Sequence, residues 1–170
     1  MKTKLGRARV AAARFQDLIR TSDAVAIYDF NSVVERVQEF SSEHDVSNRL
    51  WNIEARGATR LFDCINVSLD GLAERKETRR AVVIISDGED TNSTTTFNRI
   101  LHRVLEDDVI VYSVDLVDPA SMARDAAGLQ AGKMLQELAE KSGGKYIRSP
   151  GGQLLDQKFE EIVKELRQQY

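Results

Sequence analysis

The 170 residues, 42% hydrophobic and 30% charged, have the size and composition of one folded domain with a sizeable core, which excludes a disordered or membrane-embedded chain. The 24 Lys and Arg stand against 27 Asp and Glu for a formal charge of -3, without the clustered basic face of a nucleic-acid binder. A single cysteine, Cys64, excludes both an intramolecular disulfide and a thiolate metal cluster.

Leu5, Ala8, Ala12, Phe15 and Ile19 recur at helical spacing and predict an amphipathic helix from about Leu5 to Arg20. Arginines interrupt this stretch, so it is no signal-peptide core, and no apolar run is long enough to span a bilayer. As written the chain reads as cytoplasmic, which leaves open whether a longer parent protein is exported. Ala24 to Phe30 reads as a strand buried on both faces. Asn31-Ser32 turns it into Val33 to Phe40, where apolar and charged residues mix as in a half-exposed antiparallel edge strand.

A polar break at Ser41 to Asp45 precedes a short helix carrying Leu50, Trp51 and Ile53. After the loop Arg56 to Thr59, the spacing of Leu61, Phe62, Ile65, Leu69 and Leu72 predicts a helix ending near Gly71, with Cys64 as a core thiol within it. Ala81-Val82-Val83-Ile84-Ile85 is too short for a helix and has no polar face, so it reads as a strand buried on both sides. Ser86-Asp87-Gly88 ends it. Asp87 is either a ligand-holding carboxylate at the carboxyl edge of a parallel sheet or the solvated first residue of an Asp-Gly turn.

The hydroxyl-rich stretch Thr91 to Thr96 can cap a helix on Phe97, Ile100, Leu101, Val104 and Leu105. Val109 to Leu116 is a second β-branched strand. Ala120 to Ala131 is poorly patterned, either a short helix or a surface segment. Met134 to Ala139 mark a helix that Gly143-Gly144 terminates. Lys145 to Arg148 is a short strand, and a last amphipathic helix rests on Leu154, Leu155, Phe159, Ile162, Val163 and Leu166. Strands alternating with helices predict an α/β fold: a doubly wound, mostly parallel, Rossmann-like sheet with an antiparallel edge hairpin and helices on both faces.

Two of these stretches, Gly57-Ala58-Thr59-Arg60-Leu61-Phe62-Asp63 and Val83-Ile84-Ile85-Ser86-Asp87-Gly88-Glu89-Asp90, closely resemble two of the three signature loops of von Willebrand factor A domains. The order of elements matches along nearly the whole chain, and Phe159 to Tyr170 is similar to the last helix of bacterial members. The resemblance implies a non-enzymatic protein-interaction module of the adhesion type, with magnesium at a metal-ion-dependent adhesion site. Thr59 would be the second-loop hydroxyl ligand and Asp87 the third-loop carboxylate. An acidic side chain of a partner protein would complete the coordination sphere of such a hard, oxygen-seeking cation. Glu89 and Asp90 read as solvated loop charges that add negative potential.

The family's first central strand and its Asp-x-Ser-x-Ser loop have no counterpart. Asp45-Val46-Ser47-Asn48-Arg49 offers Asp-x-Ser, but Arg49 stands where the second serine belongs, after a polar break, which makes it a decoy. The expectation is therefore a single von Willebrand A-like domain over residues 1–170, N-terminally incomplete. Its adhesion site would also be incomplete, so that magnesium binds weakly or not at all and no cofactor is required.

A missing strand of roughly five apolar residues removes on the order of 10 kcal/mol of burial, comparable to the net stability of a domain. It leaves a slot between the strands at Val25 and Val83. Either the two strands close up directly, or a second copy fills the slot, or the chain is a fragment. A rearranged or strand-exchanged homo-oligomer is favoured.

Two other functions remain at this stage. One is a metal-dependent phosphoryl-transfer or hydrolytic enzyme on a similar sheet, with Asp87 as nucleophile or metal ligand and Asp29 and Asp115 the only carboxylates able to join it. The chain shows no glycine-rich phosphate loop and no readable Ser/His/Asp set, and its two histidines, His44 and His102, read as surface residues. The other is a structural scaffold without a ligand.

Overall fold

The computed structural model describes residues 4–43, 47–54, 58–86, 89–117 and 126–168. In chain order these form α1 (Lys4–Leu18), β1 (Val25–Phe30), β2 (Val34–Ser41), α2 (Ser47–Trp51), α3 (Leu61–Ala73), β3 (Ala81–Ser86), α4 (Phe97–Glu106), β4 (Ile110–Leu116), α5 (Ala126–Lys141), β5 (Tyr146–Ser149) and α6 (Gln153–Gln168). The strands make a parallel sheet in the order β3-β4-β5 and a separate antiparallel pair of β1 and β2.

Successive side chains of a strand face opposite sides, so a run that is apolar at nearly every position needs cover on both. β4 has it. Tyr112, Val114 and Leu116 join a core with Ala11 and Phe15 of α1 and Phe159 and Ile162 of α6. Within it Phe15 and Phe159 pack edge to face at 5.3 Å between ring centroids. Val109 and Val111 face the other way, into a core with Leu61 and Ile65 of α3, Ile100 and Val104 of α4 and Leu138 of α5. Parallel registers Val83 with Tyr112 and Val114 with Ile147 hold β3 and β5 on either side of β4.

The sequence reading of β1 and β3 as strands buried on both faces needs correction. Every residue of β1 is only half-buried, as are four of the six in β3, whereas six of the seven in β4 are buried. The reason is pairing: among the described residues β3 is hydrogen-bonded to β4 alone and β1 to β2 alone. The two strands have not closed up. Both line a cleft of about 1260 Å³, which α1 and α3 also line.

Elsewhere the elements fall close to expectation. The β1–β2 hairpin is tied at its turn by the Val33 N–H donating to Asn31 Oδ1 at 3.1 Å. α5 starts at Ala126, ahead of the apolar run from Met134, so residues 126–131 of the poorly patterned stretch are helical, one of the two readings that stretch allowed. Residues 120–125 of the poorly patterned stretch lie outside the described residues.

The end of α5 depends on two glycines for different reasons. Gly143 adopts φ +86, a left-handed conformation suited to a helix end. Gly144 runs so close to β4 that a β-carbon there would lie 1.9 Å from the Val111 carbonyl oxygen. Gly144→Ala must therefore push backbone away from backbone, and a loss of about 2 kcal/mol is expected in urea unfolding. Gly143→Ala, which meets no neighbouring atom within 4 Å, should lose only the conformational cost of about 1 kcal/mol.

Candidate functional site

A helix start leaves backbone N–H groups without intrahelical partners. At α3 the N-cap residue is Arg60, whose side chain makes no capping bond. The caps come instead from the β3–α4 loop. The Phe62 N–H donates to Asp90 Oδ1 at 3.2 Å, and the Asp63 N–H to Ser93 Oγ at 3.0 Å. Ser93 Oγ donates in turn to Asp90 Oδ1 at 2.6 Å.

The traffic runs both ways. Asp63 Oδ1 accepts from the Thr94 and Thr95 N–H groups at 3.1 and 2.9 Å, and its Oδ2 from the Thr94 N–H at 3.0 Å. Arg60 Nη2 adds an ion pair to Asp63 at 2.9 Å. One residue before Arg60, the Thr59 carbonyl accepts from the N–H groups of Thr91 and Asn92, each at 3.0 Å. The Thr59 N–H donates to Thr91 Oγ1 at 2.9 Å. The two loops that carry the resemblance are thus stitched together beside the carboxyl end of β3.

Burial by itself would raise the pKa of Asp63. The N–H and hydroxyl donors of Thr94 and Thr95 outweigh it and hold the carboxyl down at about 2. Asp63 also sits in the first turn of α3, at the positive end of the helix dipole, which favours its charged form.

Of the expected ligand pair, Thr59 is half-buried in the loop before α3. Asp87 lies outside the described residues, as do Gly57 and Gly88 and the decoy's Asp45 and Val46. Glu89 is exposed. Asp90 is not the solvated charge expected of it, since its carboxylate caps α3. Sequence reasoning also passed over Asp63, Thr91, Ser93 and Thr94, the working parts of the clamp. Their signal is the run of hydroxyl residues at Thr91 to Thr96, whose cap for the next helix is only part of its role. Thr96 does cap α4, accepting from the Arg99 N–H at 3.4 Å.

The other chemistry-bearing residues have local structural roles. Asp115 is paired in register with Ser86 and buried, and the Tyr146 hydroxyl donates to its carboxylate. Asp29 accepts from Asn31 Nδ2 at 3.0 Å, and burial raises its pKa. His102 is exposed beside Glu106. Burial, with Asp29 nearby, pushes the Cys64 thiol up to about 12, which suits a core thiol and not a nucleophile.

A hard divalent cation requires oxygens able to converge on it. Thr59 offers a hydroxyl of the right kind, but both Asp63 oxygens and Asp90 Oδ1 are directed at backbone and side-chain donors of the clamp. Among the described residues no three His, Cys, Asp or Glu side chains gather as a metal cluster. The described part of this edge therefore fits a complete magnesium site poorly.

The clamp has a measurable acid signature. A carboxyl whose folded pKa lies below its unfolded value adds stability that is complete above the unfolded pKa of about 4 and is lost as pH falls towards about 2. Asp63→Ala is expected to lower stability by about 2 kcal/mol at neutral pH and to flatten the fall between pH 4 and 2, as read from urea midpoints across pH.

No family model and no curated protein matches the chain. Solved structures do. The conserved hypothetical protein BatB from Bacteroides thetaiotaomicron aligns at a TM-score of 0.75 and 18% identity, over 97% of this chain and 89% of that one. The vWF domain of the type V pili tip protein Mfa5 from Porphyromonas gingivalis aligns at 0.70 and 8% identity, over 96% and 88%. A von Willebrand factor type A structure from Catenulispora acidiphila aligns at 0.70 and 12% identity, over 95% of this chain and 38% of that one. At such identities the likeness is one of architecture. Helices on both faces of a parallel sheet, an antiparallel hairpin beside it and two stitched loops at the carboxyl end of β3 together give this chain the von Willebrand factor A fold.

Proposed function

We propose that this chain is a protein-interaction module without catalytic chemistry, and that its adhesion-type metal site is incomplete. The observation that carries this reading is the commitment of Asp63 and Asp90 to the loop clamp, which keeps them from adding to Thr59 and Asp87, the two ligands that the resemblance carries over to this chain. Mg²⁺ dehydrates reluctantly and demands near-octahedral oxygen geometry, so two protein ligands hold it weakly or not at all. Where a divalent ion does bind, an acidic side chain of a protein partner would supply a further oxygen.

The fold supports the same reading, since one of its structural neighbours is a domain of a pilus tip protein. The non-catalytic assignment is supported by the local roles of the carboxylates that would have served an enzyme. Asp115 is buried against Tyr146 and Asp29 is bonded to Asn31. A role in nucleic-acid binding draws no support from the charge balance. Among the described residues no helix is long and apolar enough to cross a membrane.

Titration calorimetry with Mg²⁺ and Mn²⁺ is expected to give no saturable binding in the micromolar range. Micromolar binding that Asp87→Ala abolishes would refute the incomplete site. Phosphatase and esterase assays on the purified chain should remain at background.

A further inference from the structure

A helix that packs on a domain by one face ordinarily turns a polar face to water. α1 does not. Its packed side carries Ala8, Ala11, Phe15 and Leu18 into the core shared with α6. On the opposite side Gly6, Val10 and Ala13 succeed one another at helical spacing without a polar side chain, and Val10 is 37% exposed. Charge stands along the helix at Arg7, Arg9 and Arg14, with Asp17 the single carboxylate.

Beside this face stands Trp51, the only tryptophan of the chain, at the end of α2. Tryptophan is highly buried on average in folded proteins, yet Trp51 is 48% exposed. Its place is nonetheless fixed, since the preceding Leu50 is buried and the Arg9 guanidinium lies 6.0 Å from the ring centroid. Trp51 is not among the residues that line the cleft between β1 and β3. α2 adds a further cation, Arg49, and no acid. Arg14 and Arg49 are exposed, and among the described residues neither forms an ion pair.

Charge selects the occupant. A second copy of this chain would set the arginines of α1 against their own counterparts across a two-fold axis. A bilayer would find only Val10 and the Trp51 ring to take into its apolar part. A protein segment with carboxylates on one side and apolar side chains on the other meets both the cations and the uncharged face. Tryptophan and arginine are also the residue types that most often carry the energy of a protein interface. We propose that the outer face of α1, with Trp51 at its edge, is the docking site for an acidic amphipathic helix of the partner protein. Apolar side chains of that helix would cover Val10, Ala13 and Trp51, and its carboxylates would face Arg9, Arg14 and Arg49. This rests on the reading of the chain as a protein-interaction module and adds a contact that involves no metal.

The test is a selection of random 15-residue peptides lacking Trp on the purified chain in the presence of a chelator. Enriched peptides should carry Asp or Glu together with Leu, Ile or Phe at three- and four-residue spacing. Because the chain has one tryptophan, their binding should shift the Trp51 emission to shorter wavelength, and added salt should weaken it. Trp51→Ala should weaken binding about tenfold or more by anisotropy. Val10→Glu, at an exposed position where the fold loses no contact in the core, should do the same while the circular dichroism spectrum and Tm are retained. Failure to enrich acidic peptides, unchanged binding by both variants, or binding without a shift of Trp51 emission would overturn the proposal. So would vesicles of anionic lipid or a single-stranded oligonucleotide shifting that emission as strongly as the peptides, or light scattering showing a dimer that Val10→Glu dissociates. Peptides that bind only with Mg²⁺ and are lost with Asp87→Ala would overturn this docking site and leave the interaction-module reading standing.

Discussion

Because β4 is hydrogen-bonded on one edge to β3 and on the other to β5, its side chains can be apolar on both faces, and each face becomes the floor of a separate core. One core gathers α1 and α6, the other α3, α4 and α5. The remaining elements take their places relative to this strand, and Gly144 shows how tightly they do so, with the chain after α5 running against the Val111 carbonyl. The hairpin of β1 and β2 is the part that β4 does not organise. It connects to the rest through helices, and β1 shares with β3 a cleft instead of a ladder of hydrogen bonds.

The second constraint is electrostatic and lies at the carboxyl end of β3. The helix α3 begins without a capping side chain of its own, so its first N–H groups depend on Asp90 and Ser93, while Asp63 returns the favour to the backbone of Thr94 and Thr95. Charged carboxylates at a helix N-terminus are favourable, and here they also fix two loops relative to one another. The same bonds commit both Asp63 oxygens and Asp90 Oδ1 to the clamp.

The cleft between β1 and β3 is walled by apolar residues of α1 and α3, among them Ala12, Phe15, Leu61 and Ile65. Exposed strand edges are a liability for a folded protein. Here both strands line one cleft together with α1 and α3.

Local pattern was enough to locate nearly every element, since helical spacing in α3 and α6 and β-branched runs in β3 and β4 are properties of neighbouring residues. The alternation of strands and helices then determined the α/β class, and the Thr59 and Asp87 loops pointed to the fold family. Burial was another matter. Ala81 to Ile85 and Ile110 to Leu116 are both strongly apolar runs, yet only the second is covered on both faces, because burial depends on which edges are paired and pairing is a relation between distant segments. The clamp escaped notice for the same reason: Asp63 and Thr94 are 31 residues apart, and nothing in either stretch alone says that one carboxylate will accept the other's N–H. The sequence by itself determined the elements, their order and the residues from which a site could be built. Only the tertiary structure decided that Asp90 is a cap and not a solvated charge, and that β1 and β3 face a cleft, because hydrogen-bond pairing and desolvation are settled in three dimensions.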